Sequence, residues 1–480
     1  MILSEKNLID GEWIEGKGGR LEVINPADGE VIATVPKASP EEADSAVDAA
    51  DSAFKGWSSL SPFKRGEILR RAREIVLQRA EEIARLMTSE QGKPLEEALG
   101  EVKKGAEILR YYAEEGERVY GRIIQNADPD IESRVIYQPL GVALAISPWN
   151  YPIELLAWKV GGALASGCTV VCKLPSQTPL SPLAFIRCVA DAGMPKGALN
   201  ALTGAGPTLG PWLLKNPKVK KVAFTGSTKV GKQVLADTVD TLKKVSLELG
   251  GSLPMIVCAD CDIDAAVAGA VRRSFRNMGQ ICIAVNRIYV DKRVYDEFLD
   301  KFVEQTNKLS IGNGLTDNCD LGPMCTAAGI ETTKKHIEDG ISKGARLLCG
   351  GKKPQGVKFE KGFFFEPSIL ADAGHDMLVM REETFGPLVG VMAFDDIDEA
   401  IELANDTSYG LAAIVYTKSL GVAERLSREI NTGNIAINNP DAGVINAPYG
   451  GWKDSGFGYE HAPEGLYEYL HAKHIRLYKR

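Results

Sequence analysis

Lys221-Val222-Ala223-Phe224-Thr225-Gly226-Ser227-Thr228 decides the fold. Val222, Ala223 and Phe224 suit a buried strand, and the Gly226-Ser227 turn ends it and opens a helix carrying Val230 and Val234. The same kind of strand recurs in Thr169-Val170-Val171-Cys172-Lys173, Leu199-Asn200-Ala201-Leu202 and Lys244-Val245-Ser246-Leu247-Glu248, with helical segments between. Alternation at this spacing argues a parallel α/β sheet of the nucleotide-binding kind. Free N–H groups at the start of the Val230 helix, with the Ser227 hydroxyl, suit a pyrophosphate. An ordinary Ser N-cap accounts for the same residues. Gly204-Ala205-Gly206-Pro207-Thr208-Leu209-Gly210 misses the G-x-G-x-x-G fingerprint by one residue.

Upstream, Arg134–Gln138 and Val142–Ile146 flank Pro139-Leu140-Gly141 as two strands or one bent ribbon. Residues 7–35 read as short strands with turns, such as Asn25-Pro26-Ala27-Asp28-Gly29. Ser39-Pro40-Glu41-Glu42 opens a helix with a capping box. Ser61-Pro62 opens another, whose apolar stripe runs from Ile68 to Leu86, and a third spans Pro94 to Glu117. Downstream, a second α/β series occupies Pro254 to Asn438, with strands at Arg287–Val290, Leu411–Tyr416 and Gly433–Ile437 and helices near 295–309 and 326–343. The end, Tyr467 to Tyr478, alternates like an edge strand that pairs with another subunit.

Ser274-Phe275-Arg276-Asn277-Met278-Gly279-Gln280-Ile281-Cys282-Ile283-Ala284 is the candidate chemical centre. Helical spacing runs from Asp264 to Met278, Gly279 stops it, and the strand Asn286–Val290 follows. A cysteine on such a turn is reachable by substrate, although a lone free cysteine is more often buried and inert.

Composition limits the alternatives. A chain of 480 residues, 44% hydrophobic and 25% charged, suggests a soluble protein of two or three domains. A net charge of −8 without a basic run argues against nucleic acid. No apolar run reaches about 18 residues, which argues against a membrane span, and Met1 to Asn7 lacks a secretory core. Nine cysteines without regular spacing fit a reducing cytoplasm, Cys258-Ala259-Asp260-Cys261 stands alone, and none of the five histidines sits in a metal pattern. No metal is expected.

Five stretches then fall in order: Ser147-Pro148-Trp149-Asn150-Tyr151-Pro152, Phe224-Thr225-Gly226-Ser227, Leu247-Glu248-Leu249-Gly250-Gly251, Gly279-Gln280-Ile281-Cys282 and Glu382-Glu383-Thr384-Phe385-Gly386-Pro387. Together they resemble the aldehyde dehydrogenase superfamily, in its NAD(P)-dependent branch that does not acylate CoA, along nearly the whole chain. The separation of Glu248 from Cys282 is the one this family keeps. The resemblance implies an α/β fold with two Rossmann-type parallel-sheet domains and a β-strand oligomerisation arm. The cofactor-binding domain is expected over 1–118 and 140–249, the catalytic domain over 250–448, and the arm with the C-terminal segment over 119–139 and 449–480. A cytoplasmic homodimer or homotetramer is expected.

The same resemblance implies roles. Cys282 would be the nucleophile, Glu248 the base that activates water, and Asn150 with the Cys282 N–H the oxyanion donors. Trp149, Gly226, Ser227 and Leu249 would line the path of NADP or NAD, Lys173 and Ser176 would meet the adenosine ribose, and Glu383 and Phe385 the nicotinamide end. Many NAD-preferring relatives carry Glu where Ser176 stands, and Ser176 cannot repel a 2′-phosphate. Ile283 and Ala284 leave no second cysteine beside the nucleophile for a regulatory disulfide. The aldehyde tunnel would be lined by Tyr151, Trp158, Arg276 and Tyr449. Arg276 matches succinate-semialdehyde branches and the three aromatics match amino- and betaine-aldehyde branches, so a short aldehyde with a polar or anionic tail is expected. A broad-specificity or amino-aldehyde dehydrogenase is the alternative. A CoA-acylating enzyme is disfavoured by Glu248, a cysteine hydrolase by the lack of a histidine partner, and a non-catalytic binding protein by the retention of Cys282, Glu248 and Asn150.

Overall fold

The computed structural model describes residues 6–479, so Met1 to Glu5, most of the start read for a secretory core, lie outside it. Two large sheets dominate. The first has eight strands in the order Gly456–Phe457, Lys244–Glu248, Val219–Thr225, Val142–Ile146, Thr169–Lys173, Leu199–Leu202, Asn7–Ile9 and Glu12–Ile14. The five from Lys244–Glu248 to Leu199–Leu202 run parallel, and the outer strands at each end are antiparallel. The parallel strands are buried along nearly their whole length, consistent with a sheet covered on both faces.

The chain builds outward from Val142–Ile146 through Thr169–Lys173 to Leu199–Leu202, then returns to place Val219–Thr225 on the other side of Val142–Ile146. Where the strand order reverses, the loops leaving the carboxyl ends diverge and open a crevice. The residues leaving those two ends are Ser147 to Asn150 and Gly226 to Ser227.

The second sheet has seven strands, in the order Arg346–Cys349, Ser368–Ala371, Leu388–Phe394, Val285–Asp291, Leu253–Val257, Ala412–Tyr416 and Asn434–Ile437. All its pairs are parallel except the first. Its core is separate, built on residues such as Ile256, Ile288, Val391 and Ile414. Arg134–Gln138 and Val142–Ile146 prove to be two strands: Ile131–Pro139 lies between Arg122–Ile124 and Leu470–Tyr478 in an antiparallel three-stranded sheet. Thus the terminal strand first pairs within its own chain. Gly456–Phe457 flanks Lys244–Glu248 at the edge of the first sheet.

Capping box and helix boundaries around Ser39 follow the sequence signals, with Ser39 accepting from the Glu42 N–H. Two helices differ. The stripe from Ile68 to Leu86 is broken at Arg79, where φ −108° and ψ 11° separate Pro62–Gln78 from Ala80–Gln91. The helix before the cysteine is Ile263–Phe275 and stops short of Met278, because Asn277 and Met278 take left-handed φ of 49° and 57°. Asn277 is held there by tertiary bonds: its Oδ1 accepts from Gln91 Nε2 at 2.9 Å and its Nδ2 donates to the Asn150 carbonyl at 3.2 Å. Among the described residues no helix is long and apolar enough to cross a membrane.

Candidate active site

Four strand ends deliver the site. Ser147 to Asn150 leave one, Gly226 and Ser227 a second, Lys173 ends a third and Glu248 ends a fourth. A cavity of about 900 Å³ runs along these ends. Trp149, Lys173, Ser176, Gly226, Ser227, Leu249, Glu383 and Phe385 all line it, with Asn150 and Cys282 at one end. All eight residues expected to meet a nucleotide therefore share one wall system with the cysteine.

The cavity suits a dinucleotide. Ser227 caps the helix Thr228–Thr238 by accepting from the Val230 N–H, which places the free N–H groups of that helix start against the cavity. Lys173 is buried, its Nζ has no hydrogen-bond partner among the described residues, and burial lowers its pKa to about 8. A phosphate or ribose oxygen would supply the missing partner. The Ser176 hydroxyl donates to the Gly204 carbonyl at 3.0 Å. Trp149 and Phe385 meet edge to face at 5.5 Å between centroids. Glu383 accepts from the Gly251 N–H at 3.1 Å, and burial raises its pKa to about 7.

Cys282 is half-buried on the turn between the Arg276–Gly279 helical turn and the strand Val285–Asp291. Its thiol is pushed up to about 12 by burial, then by the carboxylates of Glu383 and Glu248, against a hydrogen bond with Tyr449. Asn150 is 3% exposed, and its Nδ2 donates to the Gln280 carbonyl at 2.9 Å. The amide has a second N–H, so one donor fixes the side chain and one remains. Lys93 holds the loop from below: its Nζ donates to the Asn150 carbonyl at 2.8 Å and pairs with Glu101 at 2.5 Å, both side chains fully buried. Glu101 in turn accepts from the Ile153 N–H at 2.9 Å.

Glu248 is 5% exposed, and neither carboxylate oxygen has a hydrogen-bond partner among the described residues. Burial, then the nearby Glu460, raises its pKa well above the carboxylate range, while Lys159 opposes the rise. Lys159 Nζ lies 2.5 Å from Glu460 Oε1 and 2.6 Å from Thr225 Oγ1. Neither partner was expected from the sequence. Lys159 carried a signal, the one cation in the largely apolar helix Glu154–Ser166; Glu460 carried none.

The four residues expected to line the aldehyde path are placed unevenly. Tyr151 packs with Ile281 and Ala284 around the cysteine turn, and its hydroxyl donates to Glu97 at 2.8 Å. Tyr449 meets the Cys282 thiol and stacks on His461 at 4.9 Å. Trp158 is 1% exposed and lies beneath His461, rings 3.7 Å apart and nearly parallel, so His461 stands between the two expected aromatics. Arg276 donates from Nε to Glu97 at 3.1 Å and faces a separate open cavity of about 1030 Å³ bounded by Glu97, Val271 and Lys301. No group of three His, Cys, Asp or Glu among the described residues is arranged to hold a metal ion.

A family model described as "Aldehyde dehydrogenase family" matches residues 13–475. The chain belongs to the aldehyde dehydrogenase family and is an oxidoreductase acting on the aldehyde group. It is 43% identical over 480 residues to a glutarate-semialdehyde dehydrogenase of Pseudomonas aeruginosa, covering 99% of this chain and 98% of the relative. It is 42% identical over 478 residues to the NADP(+) succinate-semialdehyde dehydrogenase of Escherichia coli, covering 99% and 98%. Among solved structures, an NADP-dependent enzyme of E. coli superposes with a TM-score of 0.97 at 42% identity, covering 99% of this chain and 98% of that one.

The raised thiol pKa predicts how the protein without nucleotide reacts. Below its pKa a thiol gains thiolate about tenfold per pH unit. Alkylation of Cys282 by iodoacetamide, followed by mass spectrometry, should therefore keep accelerating from about pH 7 to about pH 9. A rate that levels off near neutrality would mean that the site stabilises the thiolate instead.

Proposed function

We propose that this chain oxidises a short aldehyde with a polar or anionic tail to its carboxylic acid, using NAD(P)+. The observation that carries the reading is the single cavity that joins Cys282 and Asn150 to Lys173, Ser227, Glu383 and Phe385. In this reading Cys282 Sγ adds to the aldehyde carbon. The resting thiol is protonated, so its proton must leave before Sγ can attack. The free N–H of the Asn150 amide and the Cys282 backbone N–H stabilise the oxyanion, each such donor being worth about 3–4 kcal/mol of barrier. When bound, the nicotinamide supplies the hydride acceptor for the step that leaves a thioester on Cys282. Lys173 and Ser176 would hold the adenosine ribose, Ser227 and its helix start the pyrophosphate, and Glu383 the second ribose. Glu248 then takes a proton from the water that hydrolyses the thioester, a general-base task worth about 10²–10⁴-fold. Its raised pKa marks a higher affinity for the proton it must accept.

Because the hydride leaves before water attacks, Glu248→Gln should keep a burst of one reduced nucleotide per site while steady turnover falls about 10²-fold or more. Stopped-flow absorbance reads both phases. A variant that turns over at the native rate removes Glu248 from this role.

Use of NADP+ is favoured by Ser176 and by the unpartnered Lys173 Nζ, whose charge-assisted bond to a 2′-phosphate would contribute about 1.5–3 kcal/mol. The Ser176 hydroxyl would exchange the Gly204 carbonyl for a phosphate oxygen. Ser176→Glu should raise KM for NADP+ more than for NAD+, since the new carboxylate faces the phosphate. Native enzyme that reduces NAD+ alone at saturation would contradict it.

Arg276 sets the substrate class in this reading, supported by the two relatives named for dicarboxylic semialdehydes. Glu97 already holds its Nε, so an anionic tail must bind the remaining N–H groups beside that pair. The ratio of kcat/KM for a carboxylated aldehyde to that for propanal should fall about tenfold or more in Arg276→Phe. If the ratio is unchanged, Arg276 serves the ion pair and not the substrate.

We also propose a homodimer or homotetramer. Among the described residues the outer edges of Leu470–Tyr478 and Asn434–Ile437 carry no neighbouring strand, and Ile123, on the opposite edge of the sheet that holds the first, is 75% exposed. A cytoplasmic location is proposed from the nine free cysteines.

A further inference from the structure

The cavity continues past Lys173 into a slot between two helices. Pro207, Pro211 and Leu214 on Gly206–Lys215 form one wall, and Val230 and Val234 on Thr228–Thr238 form the other. Space above Gly210 is open, with no atom within 4 Å of where a Cβ would stand. An apolar slot of this kind suits a flat ring lying between the walls. It is not uniformly apolar. Asp237 lines it one helical turn beyond Val234, with its side chain 9% exposed.

The two oxygens of Asp237 differ. One, Oδ1, lies 3.7 Å from Lys215 Nζ, beyond hydrogen-bond distance. The other, Oδ2, is buried and has no hydrogen-bond partner among the described residues. A buried carboxylate oxygen is a strong acceptor, and leaving it without a donor is costly. The ion pair of Oδ1 with the exposed Lys215 leaves Oδ2 unsatisfied. A ligand with an N–H on the edge of its ring would supply the donor.

We propose that Asp237 selects the base of the bound nucleotide: Oδ2 accepts a hydrogen bond from the exocyclic amine of adenine, seated between Pro207 and Val230. This rests on the dinucleotide reading above and extends it from phosphate and ribose to the base. An ionised carboxylate only accepts, so it distinguishes an amino purine from one that lacks the amine. The purine analogue of the dinucleotide, identical except that hydrogen replaces the amine, would leave Oδ2 without its donor.

Titration calorimetry of the full chain with NADP+ and with its analogue carrying purine in place of adenine tests the assignment without turnover. The native protein should bind the adenine form about tenfold or more tightly, as sites built to pair a polar edge reject the analogue lacking it. Asp237→Leu and Asp237→Ala remove the acceptor at two different side-chain volumes, so both should bind the two forms equally. Equal binding by the native protein, or the same preference in all three proteins, overturns the role of Asp237 and leaves the dinucleotide reading intact. If the native protein binds neither compound, the dinucleotide reading falls, and the base assignment with it.

Discussion

The carbonyl oxygen of Asn150 accepts from Lys93 Nζ and from Asn277 Nδ2, while the Asn150 amide donates to Gln280. These bonds tie the loop leaving the first sheet to the turn that carries Cys282 before the second. The two sheets have separate hydrophobic cores, so apolar packing alone does not register one against the other at the level of single atoms. Directional bonds do. Gln91 and Gln280 extend the network, Gln280 Oε1 accepting from the Cys325 N–H at 2.9 Å, so the nucleophile's turn is gripped from several sides.

Such a network is expensive to bury and useful once buried. Lys93 and Glu101 are out of water altogether, and breaking one partner of a pair like this typically costs about 3–5 kcal/mol. The balance around Glu248 is different. It sits near the Lys159–Glu460 pair without bonding to either member, so its charge is penalised and its proton affinity rises. Placing one carboxylate in a satisfied pair and another in an unsatisfied place lets neighbouring acids do different work at the same pH.

The parts of this site visible in the sequence are those that local chemistry marks. Glu248 ends a strand, Ser227 caps a helix, and Asn150 follows a strand at a Pro-Trp turn; each has a short-range reason to stand where it does. The alternation of strands and helices likewise announces the parallel sheets. What escaped are contacts made across the chain. Lys159 meets Glu460 over a separation of 301 residues, and Asn277 is bent into a left-handed conformation by Gln91, 186 residues away, which ends a helix that its own apolar spacing would continue. The break at Arg79 has the same character, since the apolar stripe continues through it. His461, packed between Trp158 and Tyr449, has no flanking pattern to betray it, and the Arg276–Glu97 pair is likewise invisible to periodicity.

Gly456–Phe457 covers the strand that ends in Glu248, with Glu248 opposite Gly456 in register. Glu460 and His461 follow within a few residues. Residues 456–461 thus finish an interior begun at Lys244–Glu248. On the ribosome, a nascent chain would hold Cys282 and Asn150 long before Glu460, which raises the proton affinity of Glu248, had left the exit tunnel. Until then the Lys244–Glu248 strand would show a bare edge, the kind of surface on which emerging chains stick to one another. The competence of the catalyst and the protection of that edge would arrive together, once this stretch has emerged.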